Sequence, residues 1–453
     1  MAEYPVADLY GVAQHSPVGG GRPSFLLPEI SKGKIKKYIN KVHEQGMNFS
    51  YLLNAPCMNN MEYNQDYYKE LIKYIQWIVD VGADSVIVTI PFLMQVIKEQ
   101  FPDLKVRVST IAHVNSVNRA KFFEYLGADE ITPDVMINRD FKTLERIQKS
   151  FNGKIILLLT DGCLFQCPFR YYHYNILGHA SQTNQQLGRN YIDSCILNCS
   201  IIKFSNPTEV LKARWIRPED LKHYEDIGIN NFKIAGRRMS TDWIVRSVKA
   251  FSERKYDGNL VDIIQGFSMA FGGLEQKDPN LRIKETIGKE STAKLYIDNS
   301  KLDGFIDFFK NQNCNAMCED CNYCTEWAKK AVILNEEQSK KYVDSLQSYL
   351  DDLTSGREFG LRTKAKESED GEKKGIDWDP ETKNLYEKLI QLTPEQFRSM
   401  ARIAIGNLAE EKAKKRGGAQ VQNEDMVKAF LEGTPGPFQE DMKEGLKKYN
   451  LLK

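Results

Sequence analysis

Two copies of one short sequence, V-G-A-D-S-V at residues 81–86 and L-G-A-D-E-I at residues 126–131, decide the fold of this chain. Each copy follows a helical pattern, turns at a glycine and enters a run of apolar residues. Gly82 and Gly127 suit the left-handed conformation that closes a helix, because glycine has no Cβ to clash there. The repeat therefore predicts a chain that alternates helices with strands.

The same alternation extends through the first 255 residues, with a unit recurring roughly every 20 to 25 residues. Continuous apolar strands between helices indicate a parallel sheet buried on both faces, which is either a barrel or a doubly wound sheet. No G-x-G-x-x-G follows a first strand, so we expect an α/β fold with a TIM-like (β/α) barrel, whether complete, incomplete or distorted. The predicted strands are 49–54, 85–90, 106–111, 130–132, 154–160 and 231–234. The predicted helices include 67–81, 115–125 and 141–150.

The composition is that of an ordinary globular protein. Of 453 residues, 42% are hydrophobic and 27% are charged, with a net charge of +1. This balance lacks the overall basic footprint of a nucleic-acid binder. The longest apolar run, residues 86–96, contains Pro91 and is too short to span a bilayer. With no signal peptide at the N-terminus, we expect a cytoplasmic protein without a membrane span.

Eight of the nine cysteines form two quartets. Clustered thiolates are the ligands of soft metals and iron–sulfur clusters, whereas a disulfide framework is typical of short secreted chains. The length of this chain favours metal. The first quartet is Cys163, Cys167, Cys195 and Cys199, and the second is Cys314, Cys318, Cys321 and Cys324. Cys57 stands apart.

The spacing of the cysteines alone does not decide which metal they bind. Two C-x3-C pairs suit zinc nearly as well as a cubane cluster. The second quartet spans eleven residues, which favours a second [4Fe–4S] cluster over zinc. Its C-x3-C-x2-C run also matches the radical S-adenosylmethionine signature. Three observations argue against that function. The run follows the barrel, Asp320 stands where the signature usually has an aromatic residue, and a fourth cysteine completes the set. A fully ligated second cluster would act as an electron relay, and the alternative is a structural clip.

Several reactive side chains follow predicted strands, namely Cys57, His113, Cys163 and Arg237. In a barrel the loops after the strands share one face, where chemistry takes place. The alternative is that loops simply collect polar residues. The loop between the two C-x3-C pairs also carries Arg170, His173 and His179, and we interpret it as a substrate lid.

Three motifs in this order resemble the collagenase-like peptidase family. They are V-S-T-I-A-H-V-N-S at 108–116, L-G-A-D-E-I-T-P-D at 126–134 and, after the cysteine loop, N-F-K-I-A-G-R-R-M-S-T-D-W-I-V at 231–245. Members are often named proteases, but the resemblance also implies oxygen-independent hydroxylases of tRNA, ribosomal RNA or the ubiquinone ring. It implies a [4Fe–4S] cluster held by the first quartet and prephenate as oxygen donor.

The chain departs from the RNA-modifying members of that family. Where they have F-V-H-G before the first cysteines, residues 158–162 read L-L-T-D-G. Their first cysteine pair is spaced more widely, and Ala235 stands in place of an acid. The resemblance therefore implies a divergent branch, in which Lys233, Arg237 and Arg238 remain candidate anion binders. Ordinary surface charge at a strand end is the alternative.

We hypothesise an iron–sulfur oxidoreductase, suited to anaerobic conditions, that hydroxylates or otherwise redox-modifies an aromatic or cyclic, anionic small molecule. The alternatives are a peptidase with Cys57 as nucleophile and His113 as base, a tRNA or rRNA base hydroxylase, and a non-catalytic electron-transfer or scaffold subunit. The candidate catalytic residues are His113, His173 and Arg237. The candidate substrate-binding residues are Asn54, Arg170, Lys233 and Arg238.

Four segments are predicted: the barrel with its cysteine loops (1–330), a helical extension (331–353), a flexible charged linker (354–382) and a small helical domain (383–453). Residues 390–432 resemble the small helical domain at the end of light-independent protochlorophyllide reductase subunits. That resemblance implies docking to a protein partner or to a bulky ring substrate.

Overall fold

The computed structural model describes residues 4–24, 27, 29–182, 193–236, 239–266, 294–318, 320–357, 376–393, 398–434 and 439–452. The chain divides into two compact units, Met1–Phe359 and Gly360–Lys453. No helix within the described residues has the length and apolarity needed to cross a membrane.

A parallel sheet of seven strands forms the centre of the first unit, and its strands pair strictly in chain order. The strands are β1 Asp8–Gly11, β2 Asn48–Leu53, β3 Ser85–Val88, β4 Lys105–Val108, β5 Glu130–Ile131, β6 Lys154–Leu158 and β7 Asn231–Lys233. A doubly wound sheet would reverse its order at a switch point, whereas sequential order is that of a barrel wall.

Helices connect successive strands and continue after them. In the first unit they are α1 Lys32–Glu44, α2 Gln65–Asp80, α3 Pro91–Gln100, α4 Val117–Tyr125, α5 Phe141–Ser150, α6 Arg170–His179, α7 Ser194–Ser205, α8 Thr208–Lys212, α9 Leu221–Glu225, α10 Thr241–Glu253, α11 Asp307–Lys310, α12 Tyr323–Ala331 and α13 Glu336–Thr354. An antiparallel pair, β8 Leu295–Ile297 and β9 Val332–Leu334, lies near the end of this unit.

The sheet curls until its two edge strands touch. The Tyr10 hydroxyl of β1 donates a hydrogen bond of 3.1 Å to the carbonyl of Ile234, just after β7. The Lys233 Nζ lies 4.1 Å from the centre of the Tyr10 ring. Because β1 and β7 meet through the Tyr10 side chain and the paired strands of the described residues include no β1–β7 ladder, the sheet is a curled, distorted barrel wall.

The aspartates of the two G-A-D repeats tie neighbouring strands together. The Asp84 carboxylate accepts a hydrogen bond of 2.7 Å from the Phe49 amide at the start of β2. In the same way the Asp129 carboxylate accepts 2.8 Å from the Val106 amide of β4. Gly82 and Gly127 have φ of 90° and 94°, as the repeat predicts. Each repeat thus ends a helix and sets the register of the next strand.

The predicted fold class is confirmed in its coarse form, an α/β fold with a curled parallel sheet. All six predicted strands exist, and α5 has the predicted bounds. The sequence pattern did not identify β1, α1 or α3. Of these, α3 lies in the apolar run after β3, where Pro91 occupies the first helical turn and begins the helix.

The second unit is small and mainly helical. Its elements are β10 Asp377–Trp378, α14 Pro380–Ile390, α15 Arg398–Arg416, β11 Gln420–Val421, α16 Asn423–Gly433 and α17 Gln439–Lys448. The predicted linker is too long at its C-terminal end, because β10 and the start of α14 precede residue 383. The Asp379 carboxylate caps α14 by accepting from the Thr382 amide, and Pro380 opens that helix.

Arg139, which follows β5, is a cation enclosed in the core of the first unit. It is 4% exposed and donates to the carbonyls of Leu211 (2.6 Å) and Trp215 (3.0 Å). Its guanidinium also lies about 5 Å from the ring centres of Trp215, Phe305 and Phe309. Burial, and then the charge of Arg214, lower the pKa of Arg139 to about 10.

Replacing Arg139 with Met should lower the free energy of unfolding by about 2 to 4 kcal/mol, because two buried carbonyls lose their donor. Denaturant unfolding of purified protein measures this. Arg146→Met is the matched control, since Arg146 is exposed on α5, and it should change stability by less than about 0.5 kcal/mol. Equal stability of the two variants would contradict a structural role for Arg139.

Candidate functional site

The polar side chains of the first unit gather at the carboxyl edge of the sheet. Asn54 follows β2, His113 follows β4, Asp134 follows β5 and Cys163 follows β6. All of these strands are parallel, so the segments that follow them emerge at one edge. The candidate site lies there.

Asp134 is the centre of a buried network. Its Oδ2 lies 2.9 Å from Nδ1 of His113, and its Oδ1 accepts from Nη1 of Arg170 at the start of α6. The exposed fractions are 4% for Asp134, 5% for Arg170 and 6% for His113. Such a charge pair is stable only because each partner neutralises the other away from water.

The network keeps Asp134 ionised. Burial by itself would raise the pKa of this carboxyl, but the hydrogen bond with His113 and the charge of Arg170 outweigh it and lower the pKa. A carboxylate cannot donate, so the hydrogen bond assigns the proton to Nδ1 of His113. In the neutral form of the ring, the Nε2 atom of His113, which has no hydrogen bond with the described residues, is the acceptor nitrogen.

His113 is held in an unusual backbone conformation. Its φ is 54°, in the left-handed region that non-glycine residues adopt rarely. Its carbonyl accepts 2.6 Å from Nη1 of Arg119, and its ring lies 4.2 Å from that of Tyr171. The surroundings therefore fix both the backbone and the ring of His113.

Arg170 has donor capacity that the described residues do not use. Its Nε and Nη2 atoms are buried and have no hydrogen-bond partner among them. Although burial opposes it, Tyr174 and Asp134 raise the pKa of Arg170, and Cys163 adds to this effect. A buried guanidinium with two free N–H groups is suited to bind a carboxylate or another anion.

Electrostatic interactions link the thiols of the first quartet. Burial raises the pKa of Cys163 well above its ordinary value, and the charges of Asp161 and Cys199 add to this. Burial, Asp193 and Cys167 likewise raise the pKa of Cys195 to about 12. Arg170 and Lys203 act in the opposite direction on Cys163. The four thiols therefore interact electrostatically, with two cations beside them.

Local hydrogen bonds shape both cysteine pairs. The Cys163 amide donates 3.0 Å to the Asp161 carboxylate, and Gln166, between Cys163 and Cys167, has φ of 53°. Asp193 caps α7 by accepting from the Ile196 amide, which places Cys195 and Cys199 on consecutive turns. Each pair therefore presents its two thiols from one ordered turn.

These residues fit a thiolate-bound group. All nine cysteines lie among the described residues and carry free thiols. Within the described part of the chain, no three His, Cys, Asp or Glu side chains form a ready coordination shell for one metal ion. The first quartet supplies four thiols and has neighbouring cations that would balance thiolate charge, which is the donor chemistry that a cubane cluster uses.

The remaining predicted residues take varied positions. Asn54 donates 3.2 Å to the Ser109 hydroxyl and accepts 3.3 Å from the Gly21 amide. His173 on α6 lies 3.1 Å from the Asp193 carboxylate. Lys233 lies against Tyr10 at the sheet edges. Arg237 and Arg238 fall outside the described residues.

The peptidase pair suggested by the sequence is not assembled in the described structure. The Cys57 thiol accepts a hydrogen bond of 3.3 Å from the Asn59 amide. The imidazole of His113 is hydrogen-bonded to Asp134, and no hydrogen bond joins these described residues, Cys57 and His113. A thiol nucleophile needs its base within hydrogen-bonding reach.

Sequence reasoning missed Asp134, which joins the other groups. The available signal was its place in T-P-D, two residues after the predicted strand 130–132, at the same edge as His113. It also missed Asp193, which contacts His173 and begins α7. Carboxylates next to predicted cations at a shared edge are the pattern that would have found both.

The fold and the site together define a class, an α/β protein with a curled parallel sheet whose carboxyl edge carries a His–Asp–Arg network beside four thiols. The family model described as peptidase family U32 matches residues 26–149. An uncharacterized protease of Methanocaldococcus jannaschii is 31% identical over 320 residues, which cover 70% of this chain and 86% of that protein. The chain belongs to peptidase family U32.

Two further relatives are named tRNA hydroxylation protein P. The Escherichia coli protein is 24% identical over 139 residues, or 30% of this chain and 28% of that protein. The Haemophilus influenzae protein is 25% identical over 118 residues, or 25% of this chain and 24% of that protein. The chain thus matches only about a quarter of the length of each. The solved U32 peptidase Mk0906 superposes with a TM-score of 0.38 at 20% identity, covering 51% of this chain and 92% of that one.

Replacing Asp134 with Asn should lower the free energy of unfolding by about 3 to 5 kcal/mol at pH 7, because the Arg170 charge stays buried without its counter-charge. The wild-type carboxylate has a lowered pKa in the fold. Its contribution is therefore complete above the unfolded pKa of about 3.9 and is lost as pH falls through the folded pKa. The deficit of the variant should shrink as the solution is acidified.

Denaturant titrations at several pH values measure this deficit. Asp103→Asn is the control, because Asp103 is an exposed carboxylate before β4. A deficit for Asp134→Asn that stays constant down to low pH would contradict the assigned ionisation of Asp134.

Proposed function

We propose that this chain is an iron–sulfur enzyme that hydroxylates, or otherwise redox-modifies, an aromatic or cyclic small molecule without molecular oxygen. The observation that carries the proposal is the adjacency of the His113–Asp134–Arg170 network, through Arg170, to Cys163 and Cys167 of the first quartet. Hydrolysis requires no electron path, whereas four cysteines can hold the kind of cluster that a redox enzyme uses.

Cys163, Cys167, Cys195 and Cys199 are the residues that would hold a [4Fe–4S] cluster. When bound, such a cluster supplies redox-active iron at the loop face of the sheet. Lys203 and Arg170 would offset the negative charge of four thiolates, as they already oppose the raised pKa of Cys163. The hydrogen bond between Asp161 and the Cys163 amide would keep this ligand loop fixed.

Arg170 and His113 would handle substrate. The unused Nε and Nη2 atoms of Arg170 would bind an anionic group, and their burial strengthens that interaction. The Nε2 atom of His113 would accept a proton from the reacting molecule and return it, while Asp134 stabilises the charged ring. Tyr171 would cover the His113 ring on the side of α6.

The reaction balances without an external electron source. Hydroxylation replaces a C–H bond with C–OH, which oxidises the carbon by two electrons. The oxygen donor loses one oxygen atom and is reduced by the same two electrons. An anionic cyclic donor of the kind that the family resemblance implies would suit Arg170.

The relatives support the hydroxylase part of the proposal. Two of them are named for tRNA hydroxylation, and they make RNA the second candidate substrate. We favour a small molecule because the net charge of +1 gives no broad phosphate-binding surface. The peptidase alternative is supported by family naming alone.

Anaerobic incubation of the holoprotein with extract of the organism that makes it, separated into small-molecule and RNA fractions, tests the proposal. Mass spectrometry should find a product one oxygen atom heavier in the small-molecule fraction. A variant with Cys163→Ser and Cys167→Ser should lose this product and about four iron atoms. The same mass change confined to RNA nucleosides would overturn the small-molecule assignment, and peptide cleavage that survives loss of iron would overturn the redox assignment.

Replacing His113 with Gln should lower the turnover rate by about a hundredfold to ten-thousandfold, since a positioned proton acceptor contributes that much. Iron content should be unchanged, because His113 is not a proposed ligand. The rate is measured on the product identified above, and His179→Gln is the control on α6. A rate for His113→Gln within twofold of the wild type would remove His113 from the chemistry.

A further inference from the structure

The second cysteine quartet encloses a cavity of its own. All four of its thiols, Cys314, Cys318, Cys321 and Cys324, line one cavity after α11. Lys212, Arg214, Phe308, Phe309 and Met317 complete the wall. Four cysteines lining one cavity, with cations and apolar groups around them, supply the donor chemistry that soft metals and iron–sulfur clusters use.

Electrostatics in this cavity match an anionic occupant. Lys212 and Arg214 both line the cavity and bring positive charge to it. The Nη2 atom of Arg214 also donates to the sulfur of Cys314 at 3.7 Å. The cavity therefore has positive charge beside its cysteines and one N–H···S hydrogen bond, from Arg214 to Cys314.

The segment around the quartet is rigidly held. Tyr323, next to Cys324, stacks on Phe308 with ring centres 4.0 Å apart and donates 3.0 Å to the Phe305 carbonyl. Ala316, inside the C-x3-C loop, has φ of 63°. A non-glycine residue in that conformation persists only where the surroundings enforce it.

Arg214 contacts both cysteine systems. Its guanidinium carbon lies 3.7 Å from the ring centre of Phe165, which sits between Cys163 and Cys167 of the first quartet. The same guanidinium donates to Cys314 of the second quartet. Arg214 is 5% exposed, and its Nε atom has no partner among the described residues. One buried side chain thus bridges the two ligand loops.

We propose that the second quartet binds an iron–sulfur cluster of its own and that Arg214 joins this centre to the first cysteine loop. In a closed zinc site, four sulfurs lie about 2.3 Å from one ion and no other side chain contacts that ion. Zinc sites of this kind also carry their cysteines as two pairs with a longer insert between them, whereas here all four cysteines lie within eleven residues, which favours an iron–sulfur cluster. The Arg214 hydrogen bond and charge stabilise the extra electron of the reduced cluster.

Iron and acid-labile sulfide counts, with electron paramagnetic resonance of the dithionite-reduced protein, test the second cluster. Anaerobically purified wild type should hold about eight of each, and a Cys318→Ser, Cys321→Ser variant about four. The Cys163→Ser, Cys167→Ser variant should keep the other four and a distinct spectrum. Zinc at the second quartet, or iron unchanged in the Cys318, Cys321 variant, would overturn the proposal.

Redox titration of Arg214→Met tests the bridge. The midpoint potential of the second centre should fall while the iron count stays the same, because the reduced cluster loses a donor and a positive charge. Arg214→Lys keeps the positive charge, so the midpoint potential should fall less than in Arg214→Met. This second variant also keeps the test decisive if Arg214→Met does not fold. Arg146→Met is the control and should leave the potential unchanged.

An unaltered potential in both Arg214 variants would overturn the bridge. The second cluster does not depend on the hydroxylase proposal, since its readouts are metal content and potential. Only the contact with Phe165 concerns the first quartet, and loss of the first cluster would be seen separately in the Cys163, Cys167 variant.

Discussion

The buried carboxylate of Asp134 is the interaction on which the site depends. It follows β5 and engages His113, which follows β4, and Arg170, which opens α6 after β6. Three consecutive βα units are thereby locked at one edge of the sheet. Because Arg170 comes three residues after Cys167, the position of the first cysteine loop is fixed by the same carboxylate. The geometry of this pair is costly to change, because the carboxylate and the guanidinium are both buried and hydrogen-bonded to each other.

The sheet was predictable because each strand carries its signal locally. The G-A-D repeats, the apolar runs and the helix-closing glycines all lie within a few residues of the elements they define, as in α5, whose apolar Phe141, Leu144 and Ile147 face the core. The strand β1 was not predicted because its four residues, D-L-Y-G, are only half-buried and begin with a polar residue. The curl of the sheet also has no local signal, since it depends on Tyr10 meeting residues more than two hundred positions away.

The site was predictable in part. His113 and the cysteines stand out by residue type, but Asp134 and Arg214 gain their meaning from neighbours distant in sequence. Arg214 contacts Cys314, one hundred residues further along the chain, and an arginine before a tryptophan carries no sign of that in one sequence. The same holds for Asp84 and Asp129. Their place in the sequence repeat can be recognised from the sequence. Their hydrogen bonds to the Phe49 and Val106 amides, which link adjacent strands, can be recognised only in the structure.

Burial affects the thiol pKa in the same direction in both cysteine quartets. In both, enclosure raises the pKa of at least one thiol, and arginine or lysine works against that rise. A buried free thiol is therefore protonated and inert, whereas a thiolate there needs a positive partner that the protein supplies only in part. A metal centre of the proposed kind would provide the remainder, and its binding would release the protons. The same balance argues against cysteine nucleophiles at these positions, since a nucleophile must be ionised while its site is empty. The charge pattern around the thiols thus favours ligands over nucleophiles, whichever substrate occupies the carboxyl edge of the sheet.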